Sequence, residues 1–174
     1  MGISLRAVFT PQWITVAVVA TLTAYGATIA CAQNGLQRAN GYVAAISDGD
    51  TFYIELDGKR TRVRIAQIDA PESGQAFGRR SEQSLRELIW KQTVTVTWNS
   101  IDRYGRPVVS VSYNGVDIGA EQVRRGMAWV YRQYARDPSL LVFEQEAKSA
   151  RRGLWADPTP IPPWQYRKEA ARAQ

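Results

Sequence analysis

The sequence predicts an α+β fold: a five-stranded β-barrel of OB type carrying about three α-helices. Three observations lead there. Short runs with strand-like alternation recur, broken by Asp-Gly turn signals. Between and after them the apolar period lengthens to that of helices. The chain is 174 residues long, with 45% hydrophobic and 22% charged residues, which is a globular composition sized for one domain.

In chain order, residues 42–46 and 51–56 are strand-like and are separated by Asp48-Gly49-Asp50. Asp57-Gly58 is a hairpin turn signal, and a third strand follows over 60–68. In that strand Arg60, Arg62 and Arg64 share one face, while Val63 and Ile65 share the other. Leu85, Leu88 and Ile89 mark a helix within 78–92. Two alternating strands come next, one with Val94, Val96 and Trp98 on a face, the other with Val109, Val111 and Tyr113. A short helix is expected over 118–126, ending in glycine. A further helix is bracketed by Ser139 as N-cap and Gly153 as its C-terminal stop, with the apolar stripe Leu140, Phe143, Ala147 and Ala150 and a Glu144–Lys148 pair. The prolines at 158, 160, 162 and 163 cannot continue that helix, so 157–174 reads as a Pro-rich basic tail and 33–40 as a polar leader. The domain itself is expected over 41–156.

The N-terminal segment reads as a targeting signal. No charge lies between Arg6 and Arg38, 13–22 is a near-continuous apolar run, and Ala30-Cys31-Ala32 has the small-x-small cleavage pattern. Cleavage after Ala32, an uncleaved anchor and lipidation of Cys31 all carry the remainder out of the cytoplasm, so a secreted or periplasmic protein is expected, membrane-attached only in the last two cases.

Composition narrows the chemistry. The chain has no histidine and one cysteine. That removes imidazole-based triads, His-Cys pairs, His metal sites, internal disulfides and Cys-rich clusters. With 22 Lys+Arg against 16 Asp+Glu, the net charge is +6, which suits an anionic partner.

Three stretches hold the chemistry that is left: Asp48-Gly49-Asp50-Thr51, Ile68-Asp69-Ala70-Pro71-Glu72 and Asp102-Arg103-Tyr104-Gly105-Arg106. Each taken singly is an ordinary turn or loop. Together they suggest metal-assisted phosphodiester hydrolysis. A two-residue turn at Asp57-Gly58 pairs Leu56 with Lys59 and therefore sets Thr51 opposite Arg64, which brings Asp50 beside Arg64 at the mouth of the ribbon. Asp69 lies beyond the reach of this count. Asp50 and Asp69 are hard oxygen ligands for Ca2+ or Mg2+. Glu72 can take a proton from an attacking water. Arg64 and Arg106 can fork onto phosphate oxygens.

In order and relative placement these stretches resemble the staphylococcal nuclease (thermonuclease) family, and the similarity extends over about residues 41–155. The resemblance implies an OB barrel that cleaves DNA and RNA, binds Ca2+ through Asp50, Asp69 and the Ala70 carbonyl, uses Glu72 as general base and grips phosphate with Arg64 and Arg106, leaving 3′-phosphate ends. Ala70 stands where the best-known member has threonine, and the loop after Glu72 is shorter. Tyr104 and Tyr134 are expected at the substrate. Tyr134 matches one tyrosine of the nucleotide pocket, while Arg132 occupies the place of another, with Tyr131 or Trp129 as alternatives for stacking or as core residues. Gly153-Leu154-Trp155 and Pro162-Pro163-Trp164 are expected to pack the tail on the barrel. Arg151, Arg152, Arg167 and Lys168 read either as phosphate-tracking charges or as a solvated helix end. A monomer is expected. The competing classes are a non-catalytic OB-type nucleic-acid-binding module and a carboxylate-pair glycosidase; the second gives no role to Arg64 and Arg106.

Overall fold

The computed structural model describes residues 35–173; the expected targeting segment and Cys31 lie outside the described residues. Six strands form one sheet that closes on itself. They are β1 (Gln37–Ile46), β2 (Thr51–Leu56), β3 (Lys59–Ile65), β5 (Thr93–Ile101), β6 (Pro107–Tyr113) and the two-residue β7 (Val116–Asp117), in the order β3-β2-β1-β5-β6-β7. Parallel pairing of β3 with β6, Arg64 opposite Val108 and Ile65 opposite Val109, joins the two ends into a five-stranded barrel. The expected OB-type α+β architecture is the observed one.

The β2–β3 hairpin has the two-residue turn that the sequence signals. Asp57 and Gly58 have φ of 50° and 74°, the left-handed pair that matches strand twist. Leu56 pairs with Lys59 and Thr51 with Arg64, the register counted from the turn. Val63 and Ile65 are buried, as are Val43, Phe52, Ile54, Val94, Val96, Val109 and Val111, so the barrel interior is filled by the inward residues of five strands.

Several boundaries differ from the sequence reading. The leader is not separate: β1 begins at Gln37, and Arg38, Ala39 and Asn40 pair with Thr97, Val96 and Thr95 of β5. Its polar residues show no inward stripe, yet the strand is fixed by backbone pairing. The third strand stops at Ile65. Gln67 adopts φ of 66° and turns the chain into β4 (Ile68–Asp69), which pairs with β8 (Trp129–Val130) as a separate two-stranded sheet. α1 (Gly78–Ile89) ends three residues earlier than expected, where Lys91 takes φ of 59°. α2 (Ile118–Arg124) is capped by Asp117, whose carboxylate accepts from the Ala120 N–H.

In α3 (Ser139–Ser149), Ser139 is the first helical residue and not the cap; the Asp137 carboxylate accepts its N–H at 2.8 Å. The helix is closed by Arg151 at φ 51°, and Gly153 instead opens a 3₁₀ turn, Gly153–Ala156. Ala150 is exposed, which shortens the apolar stripe to Leu140, Phe143 and Ala147, while the Glu144–Lys148 pair forms at 2.7 Å. The tail is the largest departure. Pro162 and Pro163 start a helix, α4 (Pro163–Arg172), in the position where proline is tolerated because its missing N–H has no intrahelical role. The described residues thus hold four α-helices where about three were expected. No helix among them is long and apolar enough to cross a membrane.

Candidate active site

The loop between β1 and β2 carries Asp50, and its conformation is imposed from below. Asp48 accepts the Asp50 N–H at 3.0 Å, and the Asp50 carbonyl accepts the Ile65 N–H at 2.8 Å. Gly49 rests on α1: a Cβ there would stand 1.7 Å from the Ser81 hydroxyl, so only glycine fits. The buried Gln122 amide of α2 donates to the Gly49 carbonyl at 2.8 Å and to the Ser81 carbonyl at 3.2 Å, while its oxygen accepts from Ser84 at 2.6 Å. Asp50 is thereby held buried, 3% exposed.

Asp69 reaches the same point by another route. The turn at Gln67 folds β4 back, and pairing of Asp69 with Trp129 fixes it. The Gln67 carbonyl accepts from Tyr131, and its side-chain oxygen accepts the Arg136 and Asp137 N–H groups, which explains why a non-glycine residue is stable in that conformation. Asp69 is fully buried.

Arg64 joins the two acids. Its Nη2 lies 2.5 Å from Asp69 Oδ1 and 3.2 Å from Asp50 Oδ2. Burial works against its charge, but the two carboxylates outweigh that and raise its pKa above the ordinary arginine value. Asp50 also accepts the Thr51 hydroxyl at 2.9 Å and the Ala70 N–H at 2.8 Å. Ala70 thus meets Asp50 through its backbone N–H, which leaves its carbonyl out of this contact. Burial pushes the Asp50 carboxyl up to about 7, with Arg64 opposing and Asp48 and Asp69 adding to the rise.

Glu72 stands at the edge of this cluster on the coil that leads to α1, partly exposed. Its backbone N–H donates to Gln75 Oε1 at 3.2 Å. Its carboxylate is met by Arg167 of α4: Nη1 lies 2.7 Å from Glu72 Oε1 and 3.2 Å from Asp69 Oδ1, and Nη2 lies 2.7 Å from Asp69 Oδ2. Of the two readings open for Arg167 in the sequence, neither is this one. The signal available was the Pro-Pro helix start, which predicts a helix that includes Arg167 but not the face on which it lies.

Arg106 is placed apart from the carboxylates and is steered by its own loop. Asp102 accepts from Arg106 Nε and Nη2, each at 2.7 Å, and from the Arg106 N–H at 3.0 Å. The β3–β6 register sets Arg106 two residues before Val108, the partner of Arg64, on the same flank of the barrel. Arg106 lies 5.3 Å from the ring centre of Tyr104, which is 68% exposed. These residues wall a groove of about 530 Å³ whose other side is Lys59, Arg60 and Arg62.

The remaining expected substrate residues fall elsewhere. Arg132 is tied to the buried Glu144 at 3.0 Å, which also accepts the Val130 N–H and Lys148. Tyr134 is exposed, its ring edge-on to Tyr131 at 4.9 Å. Tyr131 in turn stacks on Trp164 at 5.7 Å and 4°, and Trp129 is edge-on to both Trp155 and Trp164. Tyr131, Trp129, Trp155 and Trp164 therefore pack the tail on the barrel.

Among the described residues, no three acidic side chains gather round one point as a metal-binding group. The donor set still fits a hard divalent cation. It offers carboxylate oxygens from Asp50 and Asp69, both buried, and because burial disfavours the Asp50 charge more than Arg64 favours it, added positive charge there would favour the ionised form.

The family model described as staphylococcal nuclease homologue matches residues 62–157. The chain belongs to the staphylococcal nuclease family. It is 43% identical over 129 residues to an uncharacterized endonuclease of Escherichia coli O157:H7, covering 74% of this chain and 84% of that protein. It is 42% identical over 144 residues to a micrococcal nuclease of Shigella flexneri, covering 76% and 83%. An uncharacterized endonuclease of Haemophilus influenzae is 42% identical over 128 residues, covering 73% and 72%. Within this family the chain is a nuclease, a hydrolase whose substrates are nucleic acids.

Proposed function

We propose that this nuclease is a Ca2+-dependent endonuclease that hydrolyses DNA and RNA with little sequence specificity. The observation that carries the reading is the junction of Asp50, Asp69 and Arg64, three residues from one loop and two separate strands, with Glu72 beside it.

The Asp50 and Asp69 carboxylates, with the Ala70 carbonyl, would hold the ion. When bound it supplies positive charge against the phosphate. Glu72 accepts a proton from the water that attacks phosphorus. Arg64, which keeps its charge at any working pH, binds a non-bridging phosphate oxygen and offsets the negative charge that builds in the transition state. Arg106, fixed by Asp102, presents its remaining N–H groups to the phosphate from the groove side. The bond that breaks is the one to the 5′-oxygen, so the products end in 3′-phosphate. Little of the surface reads base edges: Lys59, Arg60 and Arg62 are charges that suit backbone, and the exposed rings of Tyr104 and Tyr134 suit stacking on any base. The protein acts as a monomer outside the cytoplasm, a reading supported by the apolar run and Ala30-Cys31-Ala32 at the N-terminus.

The test compares the purified protein with its Glu72→Gln variant on single-stranded DNA and on RNA, in Ca2+, in Mg2+ and in chelator. Cleavage of both substrates by the wild type in Ca2+ alone, with the variant slower by orders of magnitude, is the expected result. Salt-dependent binding by both proteins with no cleavage by either would sink the catalytic reading.

A further inference from the structure

We propose that Arg167 is a positioning residue of the active site, and that α4, which delivers it, belongs to the catalytic machinery of this nuclease. The inference rests on the reading of Glu72 as general base.

Glu72 lies on a coil, and its carboxylate is held at 2.7 Å by Arg167, 95 positions later in the chain. A base works only when its oxygen stays within hydrogen-bond reach of the water it deprotonates. A glutamate on a coil has three rotatable side-chain bonds, and the Arg167 guanidinium is what fixes them. The same guanidinium forks onto both oxygens of Asp69, at 3.2 and 2.7 Å, so it sets the distance between Glu72 and the buried acid. A planar fork with five donors can do this; a single ammonium cannot serve three oxygens in one plane equally well.

The contact is built from beneath. Trp164, three residues before Arg167, stacks on Tyr131 at 5.7 Å and meets Trp129 edge-on at the same distance. Trp129 is the strand partner of Asp69. The Gln75 amide, on the Glu72 loop, donates to the Ile161 carbonyl at 2.6 Å. The anchor of α4 and the targets of Arg167 therefore share one rigid unit: the β4–β8 pair and the loop that follows it. Pairs between two exposed side chains contribute little, but here one partner, Asp69, is wholly buried and the geometry is bidentate. Charge points the same way. Asp50, Asp69 and Glu72 are three acids, and Arg64 alone leaves two unbalanced; Arg167 supplies the second cation.

The experiment uses the full chain with Arg167→Ala, Arg167→Lys, Glu72→Gln and the Arg167→Ala/Glu72→Gln double variant. The readouts are kcat and KM on single-stranded DNA at saturating Ca2+, thermal melting, Ca2+ affinity by calorimetry, and rescue by guanidinium ion. Arg167→Ala is expected to lower kcat about 10- to 100-fold, the range seen when an orienting partner of an active-site group is removed. KM stays near the wild type, the variant stays folded at the assay temperature with melting lowered only in part because Arg64 still pairs with Asp69, and Arg167→Lys recovers part of the rate. Millimolar guanidinium ion raises kcat of Arg167→Ala and does nothing for Glu72→Gln. The double variant is no slower than Glu72→Gln. Wild-type kcat in Arg167→Ala, with Glu72→Gln inactive, overturns the role of Arg167 and leaves Glu72 as base. A loss that guanidinium does not rescue and that follows a fall in melting temperature makes Arg167 a brace of the tail and also overturns it. Faster turnover with tighter Ca2+ binding makes Arg167 a competitor of the ion, which overturns the positioning role as well. Wild-type turnover in Glu72→Gln removes the reading on which the proposal stands.

Discussion

The side-chain amide of Gln122 donates to the Gly49 carbonyl at 2.8 Å, across 73 positions of sequence. This one buried group ties the loop that carries Asp50 to α2, and through Ser81 and Ser84 to α1. The loop that carries Asp50 is thus held by two helices distant from it in sequence.

Gln122→Leu is expected to lose stability and activity together. It leaves the Gly49 carbonyl and the Ser84 hydroxyl without the partner that Gln122 supplies, a cost of about 1–3 kcal/mol for each buried group left unmet. Chemical denaturation should show a lower midpoint with unchanged slope. Turnover should fall even where the variant is fully folded, because Gly49 and Asp50 are then free to move. Unchanged turnover in the folded variant would show that the loop keeps its shape without Gln122.

The alternation of Arg60, Arg62 and Arg64 on β3 sets charges about 6.6–6.8 Å apart along one face, twice the rise of a strand residue. Arg64 sits in the carboxylate cluster, and Arg60 and Arg62 continue outward along the groove toward Arg106 and Tyr104. Both cross the ring of Tyr53, at 4.8 and 6.0 Å, which keeps them on this face. Replacing Arg60 and Arg62 together by alanine should weaken binding of any single strand, whatever its sequence. The slope of log affinity against log salt should shrink by about 1.4, the equivalent of two phosphate contacts. A slope equal to the wild type would place the strand elsewhere.

Asp50 makes stability depend on pH in an unusual direction. Its folded-state carboxyl titrates at about 7 against an ordinary value of 3.8, chiefly because it is buried. Between those values the native state holds a proton that the unfolded chain has released, so stability falls as pH rises from about 4 to about 7. The ion-free protein should therefore melt at a higher temperature at pH 5 than at pH 7.5 in this term. Asp50→Asn should flatten that slope and raise stability at pH 7.5 in chelator, while abolishing any gain from Ca2+. The measurement is thermal melting of both proteins across this pH range, with and without Ca2+. A wild-type and variant pair with parallel pH curves would refute the assignment.

Much of the barrel was legible in the sequence because its signals are local. Asp57-Gly58 sets the turn type, the turn type sets the register, and the register puts Thr51 opposite Arg64. Inward valines and isoleucines alternate with arginines on β3 because a strand has a period of two. The same local logic fails at β1, where Gln37 to Asn40 show no stripe and are ordered by backbone pairing with β5. It fails again at Ile65, where the alternation would have run on and the chain turns instead at Gln67.

By itself the sequence determined the hairpin, the core face and the kinds of residue left for chemistry, since with no histidine and one cysteine mainly carboxylates, Arg, Lys, Tyr and Ser/Thr remained. The tertiary structure alone decided which of them meet. Asp69 joins Asp50 because β4 folds back to pair with β8, and Arg167 joins Asp69 and Glu72 because Trp164 seats α4 on that same pair. Contacts between residues 20 to 98 positions apart follow from how elements pack, and packing is a property of whole faces that no local run of residues encodes.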